Sequence, residues 1–121
     1  MDCIFCKISK GEIPAYTLYE DEVVKVFLDI HPDTNGHTLI IPKEHYRDIN
    51  DIPLDILKHI NQITKDMYKL LKEKLNMDGL TITQNNEYGQ EIKHYHVHLL
   101  PIYKESQPKL EVETILAKIT K

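Results

Sequence analysis

Apolar residues in this chain recur with two different periods, and the change between them marks the elements. Tyr16-Thr17-Leu18-Tyr19, Val23-Val24-Lys25-Val26-Phe27-Leu28-Asp29 and His37-Thr38-Leu39-Ile40-Ile41 are short β-prone runs bounded by turn formers. Asp21-Glu22 between the first two predicts a turn, so they read as an antiparallel hairpin. Residues 30–36 (Ile-His-Pro-Asp-Thr-Asn-Gly) form a loop by composition, and Pro42 ends the third strand. From Pro53 to about Met77 the period becomes helical. Ile56, Ile60, Ile63, Met67 and Leu70 follow i, i+4, i+7 spacing, widened by Leu57, Leu71 and Leu75. Asp51 is the expected cap, Pro53 suits the first turn, and Asp55 complements the positive helix start. Gly79 releases the chain into a fourth strand over 80–84, a polar loop over 85–90 follows, and then a fifth strand. Beyond Pro101 a short helix over 111–120 places Val112, Ile115, Leu116 and Ile119 on one side. Five strands with one long helix and no βαβ alternation predict an α+β fold with a mainly antiparallel sheet. The expected organisation is one domain over 1–121, with a core over 3–103 and a C-terminal tail over 104–121 that carries the short helix.

The fifth strand changes the picture. Lys93-His94-Tyr95-His96-Val97-His98-Leu99-Leu100-Pro101 holds histidines at i, i+2 and i+4. On a strand all three imidazoles share one face while Tyr95, Val97 and Leu99 take the other. Imidazole titrates near pH 7 and is the commonest metal ligand, so the spacing fits a metal site or a nucleophile and acid/base group. A histidine nucleophile at phosphorus needs an acceptor for its far ring nitrogen and donors for the phosphoryl oxygens. The loop over 85–90 supplies backbone and side-chain amides just ahead of the strand, without a P-loop pattern. No serine sits in a nucleophile elbow, so a serine hydrolase is not supported.

Composition narrows the classes. At 121 residues, 41% hydrophobic and 28% charged, the chain has the makeup of a globular protein. A net charge of -4 with interspersed signs argues against a nucleic-acid polymer as partner. No apolar run approaches a membrane span, and the start of the chain shows no leader pattern, so a cytoplasmic location is expected. There, Cys3-Ile4-Phe5-Cys6 points to metal binding or redox chemistry rather than a structural disulfide, with two small buried hydrophobes as the alternative. Half of a tetrahedral zinc site is present in that pair, and seven histidines are available to complete it. His59 is expected at the solvent edge of the long helix.

His94-Tyr95-His96-Val97-His98-Leu99-Leu100 matches the histidine-triad signature, His-φ-His-φ-His-φ-φ. With 27–30, 36–45 and Gly89-Gln90 upstream in the same order and spacing, the chain resembles the Hint branch of the histidine triad (HIT) superfamily over most of its length. Its opening, from Cys3 to Pro14, is similar to bacterial members. The resemblance implies a HIT-like fold that dimerises into a ten-stranded sheet, and hydrolysis of purine nucleoside phosphoramidates or related AMP derivatives. His96 would attack the α-phosphate, His98 contact phosphate oxygens, His94 support His96, and His37 lie behind the triad. Asp29 would bind the ribose hydroxyls. Ile30, Phe27, Phe5, Ile8 and Ile13 would line the base pocket, and Asn85, Gly89 and Gln90 would hold the phosphate and leaving group. Glu91 stands in that group where the family commonly has serine or threonine, and a carboxylate facing a phosphate repels it unless protonated, metal-bound or turned away. The loop between Asn85 and Gly89 is two residues shorter than usual. Members that hold zinc imply Cys3, Cys6, His45 and His94 as its ligands. A dinucleoside polyphosphate hydrolase, a nucleotidyl transferase and a non-catalytic nucleotide-binding adaptor are the alternatives.

Overall fold

The computed structural model describes residues 3–121; Met1 and Asp2, which begin both the 1–121 span and the segment without a leader pattern, lie outside it. Its elements are α1 (Ile4–Ser9), β1 (Tyr16–Glu20), β2 (Val24–Leu28), β3 (Thr38–Pro42), α2 (Leu54–Leu75), β4 (Gly79–Thr83), β5 (Val97–Ile102) and α3 (Val112–Thr120). The strands form one five-stranded sheet in the order β1-β2-β3-β5-β4, with every neighbouring pair antiparallel. This is the α+β architecture that the two periods predict.

β2 and β3 are buried along their whole length, because the sheet is covered on both faces. On one face Val24, Val26, Leu28, Ile40, Val97 and Leu99 meet the apolar stripe of α2 and Ile115 and Ile119 of α3. The core therefore extends past Tyr103 into the C-terminal helix. On the other face Phe27, Leu39 and Ile41 pack with Cys3, Phe5 and Ile8 of the α1 region. Lys25 also points to that side and is only 7% exposed, because its ammonium donates to the Ile8 carbonyl at 3.0 Å. Among the described residues no helix is long and apolar enough to cross a membrane.

Three local expectations are corrected. The strand bearing the histidines begins at Val97, so His94 and His96 lie in its lead-in and only His98 is inside β5. The ladder with β4 stops where that strand ends, at Thr83 opposite His98, and the ladder with β3 stops at Ile40 opposite Val97, while β3 itself runs on to Pro42 beside β2. Tyr95 N–H donates instead to the Tyr46 carbonyl at 2.6 Å. The lead-in still alternates, with Tyr95 and Val97 in the main core. Second, Asp51 does not cap α2; the cap position is Pro53, without a side-chain bond, while Asp51 accepts from Arg47 N–H at 2.9 Å. Third, His59 is not a plain surface residue, since its Nε2 lies 2.6 Å from Asp21 Oδ2 and ties α2 to the β1–β2 turn.

Candidate active site and metal cluster

The face of the sheet opposite α2 carries the site. β5 sets His98 between Leu39 of β3 and Thr83 of β4 by register. His37 stands just before β3, after Gly36, whose φ of +91° turns the chain there. Asp29 follows β2, pinned by its N–H to the His37 carbonyl at 3.0 Å and by its Oδ1, which accepts from His31 N–H at 2.9 Å. These placements bring Asp29 Oδ2 within 3.6 Å of His37 Nε2, and His37 Nε2 within 2.9 Å of His98 Nδ1.

The hydrogen-bond partners assign every tautomer in the group. Asp33 N–H donates to His37 Nδ1 at 3.1 Å, so that nitrogen holds a lone pair and the ring hydrogen sits on Nε2. His37 Nε2–H then donates to His98 Nδ1, which leaves the His98 hydrogen on Nε2. His96 Nδ1–H donates to the His94 carbonyl at 2.7 Å, so its Nε2 keeps a lone pair. His94 Nε2–H donates to the Pro42 carbonyl at 2.8 Å, which turns its Nδ1 lone pair toward the cysteines. One imidazole thus presents a lone pair and its neighbour, with ring centroids 4.9 Å apart, presents an N–H.

Burial keeps these rings neutral. His94 is pushed down to about 4, mainly by burial and against the bond to Pro42. His96 and His98 are also lowered by burial first, with Asp29 and Glu91 pulling the other way. His37 is lowered by burial despite Asp29 and Asp33.

His96, His98, His37, Asp29, Phe5, Asn85, Gly89 and Glu91 line one cavity of about 410 Å³. The remaining expected residues stand elsewhere. His94 lies behind the cavity, fully buried, and reaches it through its carbonyl. Phe27, Ile8 and Ile13 belong to the smaller core cluster that also holds Phe5. Ile30 is 61% exposed and borders a different cleft, with His31, Pro32 and residues 109–112. Gln90 is buried, its side-chain amide donating to the Arg47 carbonyl at 2.5 Å. His31, Asp33, Leu39, Thr83, Ile92 and Leu100 also line the cavity. Period-two alternation places Leu100 on the face of His98 and Leu39 on the face of His37, but which strands lie side by side is set by register, and the role of Asp33, exerted through its backbone, left no side-chain signal.

Behind His96 a second group converges. Cys3 Sγ, Cys6 Sγ, His45 Nδ1 and His94 Nδ1 all lie within 4.8 Å of one another. Cys3 Sγ is 3.4 Å and Cys6 Sγ 3.5 Å from His94 Nδ1, and Cys6 Sγ is 3.2 Å from His45 Nδ1. Zinc bonds of about 2.3 Å to sulfur and about 2.0 Å to nitrogen give a tetrahedron with S–N edges of roughly 3.5 Å. The donor set and its spacing therefore fit a metal ion. Cys3 also caps α1, with Cys6 N–H on its sulfur at 3.3 Å, so the helix itself aims both thiols.

The HIT domain pattern matches residues 10–105. An uncharacterized HIT-like protein of Methanocaldococcus jannaschii is 48% identical over 104 residues, covering 84% of this chain and 80% of that one. The adenosine 5′-monophosphoramidase of Saccharomyces cerevisiae is 44% identical over 101 residues, covering 82% of this chain and 61% of that enzyme. Among solved structures, a zinc-bound histidine triad family protein of Mycobacterium smegmatis superposes with a TM-score of 0.85 at 30% identity, covering 99% of this chain and 94% of that one. The cavity and the cysteine–histidine cluster flank His94-Tyr95-His96-Val97-His98, the triad for which this group is named, and the chain belongs to the HIT family.

Proposed function

We propose that this protein hydrolyses adenosine 5′-phosphoramidates and related purine nucleotide derivatives, with His96 as the nucleophile. The observation that carries the reading is the Nε2 of His96 at the cavity, which has no partner among the described residues, its far nitrogen held by the His94 carbonyl. The yeast relative's activity supports the same substrate class. His96 Nε2 bonds to phosphorus as the bond to the leaving nitrogen breaks; that nitrogen keeps the electron pair and takes a proton from water. A second water then bonds to phosphorus as the histidyl P–N bond breaks, returning the lone pair to Nε2; its proton goes to the hydroxide left by the first water, and the nucleotide is released. His98 Nε2–H, set by His37, donates to the phosphoryl oxygens where charge develops. Asp29 accepts from the ribose hydroxyls. Phe5 offers an aromatic wall to the base, backed by Phe27, Ile8 and Ile13. Asn85, Gly89 and the loop that Gln90 anchors cradle the phosphoryl group.

Cys3, Cys6, His45 and His94 hold a structural zinc ion in this reading, and when bound it cross-links the N-terminus to the lead-in of β5. Metal analysis should find one zinc per chain, lost in Cys6→Ser. A metal-free protein prepared without chelators removes that part. Two copies joining their sheets along β4, and a cytoplasmic home, complete the picture. The deciding experiment is His96→Asn, which keeps the ring-like size and polarity but has no nucleophilic nitrogen. Turnover of an adenosine phosphoramidate should fall at least about 10³-fold with the circular-dichroism spectrum unchanged. Retained turnover ends the proposal.

A further inference from the structure

The charge of the cavity is unusual for a site that handles phosphate. Asp29, Asp33 and Glu91 line it, and among the described residues no lysine or arginine does. Two of these carboxylates have structural work: Asp29 is fixed beside His37, and Asp33 belongs to the loop that sets the His37 tautomer. Glu91 has none. It is exposed, and among the described residues it makes no hydrogen bond or salt bridge. The two cations of the adjoining cleft have partners of their own. Lys93 Nζ donates to the Glu87 and Gln90 carbonyls at 2.8 and 2.7 Å, and Arg47 faces Asp48 at 3.5 Å. Glu91 also borders the adjoining cleft, which Ile4, His45, Arg47, Ile92 and Lys93 line, so it stands on the ridge between a cavity without cations and an opening that has two.

We propose that Glu91 selects substrates whose leaving group is a cationic amine and rejects those whose leaving group is a phosphate chain or sulfate. The inference rests on the reading of His96 as nucleophile and adds to it the charge of the group that departs. A polyphosphate or sulfate leaving group brings further negative charge into a cavity that has no cation to meet it. A phosphoramidate whose amine carries a second, protonated amino group brings a positive charge to the carboxylate that lacks a partner. At a separation of a few ångström in partly exposed surroundings, one such pair changes kcat/KM by about five- to tenfold.

The test compares three AMP derivatives in the full-length protein: the 4-aminobutyl phosphoramidate, the n-pentyl phosphoramidate of matched length, and adenosine 5′-phosphosulfate. Wild-type kcat/KM should favour the aminobutyl over the pentyl compound by about five- to tenfold, with the phosphosulfate slowest. Glu91→Gln should bring the aminobutyl-to-pentyl ratio to about one and raise the phosphosulfate relative to the pentyl compound; Glu91→Lys should invert the first ratio. Reading ratios within each variant separates charge selection from any general loss of rate. Turnover with no charge preference, or a preference unchanged in Glu91→Gln, overturns the inference alone. Turnover of none of the three overturns the nucleophile reading, and this inference with it.

Discussion

At the scale of single residues, the site works by fixing which nitrogen of each imidazole carries hydrogen. Asp33 N–H on His37 Nδ1, and His37 on His98 Nδ1, form a chain that requires both rings to be neutral. Burial lowers both below the ordinary histidine value, so between that value and the folded one the unfolded chain binds more protons. The histidine contribution to stability is thus complete above about pH 6.5 and is lost as pH falls through the lowered values. Urea midpoints should drop from pH 7.5 to pH 5.5, and His37→Asn should shrink that drop as well as the midpoint itself. A midpoint that rises on acidification contradicts the neutral chain. Alternation in the sequence displayed the three triad imidazoles on one face, and the structure keeps that face. What it did not display is the division among them, because the partners that set it are the carbonyls of Pro42 and His94 and the N–H of Asp33, which every residue type possesses.

At the scale of elements, Asp21 shows how a turn residue organises more than its turn. Its Oδ1 accepts from Val23 and Val24 N–H, each at 2.8 Å, which closes the β1–β2 hairpin. Its Oδ2 accepts from Tyr19 O–H at 2.8 Å and meets His59 of α2 at 2.6 Å. Burial opposes ionisation of this carboxyl, but the bonds from Val24, His59, Tyr19 and Val23 outweigh it and hold it well below the usual range. Its stabilising effect is therefore complete above its unfolded value near 4 and lost only in stronger acid. Asp21→Ala should cost about 2 kcal/mol at neutral pH, measured by urea unfolding, with two backbone donors left unpaired. His59→Ala should cost less, because it removes one contact from the four; equal costs contradict this account. Turn chemistry made the hairpin readable from Asp21-Glu22, and the apolar stripe made α2 readable. The clasp between them was not, since nothing local to His59 indicates which turn lies opposite. The Asp51 cap failed for a related reason: its carboxylate is taken by Arg47 N–H, and Pro53 already supplies the extended residue before the helix.

At the scale of the molecule, the two edges of the sheet are unequal. β1 is covered at one end by α3, with Tyr16 O–H donating to Glu113 at 2.8 Å. β4 reads Gly79-Leu80-Thr81-Ile82-Thr83, with no charge and no proline along it. Ile82 on this strand and Ile102 on its neighbour are 55% and 49% exposed. An edge strand so lacking in the usual guards is a template for pairing with another strand, and a second copy of the same edge satisfies it by a two-fold axis. Joining two five-stranded sheets there makes the ten-stranded sheet expected of the family. Sedimentation velocity should give a species of twice 14.2 kDa at micromolar concentration. Ile82→Lys, placed on an exposed side chain that the fold does not need, should shift it to the 14.2 kDa monomer with its circular-dichroism spectrum preserved. A wild-type monomer, or a dimer indifferent to Ile82→Lys, excludes this edge. Because β4 also pairs Thr83 with His98, the edge that would join two copies lies one strand away from each triad. Losing the dimer should then weaken substrate turnover beyond what the exposed position of Ile82 alone accounts for, and the same variant, assayed above and below the dimer's dissociation constant, reads both effects.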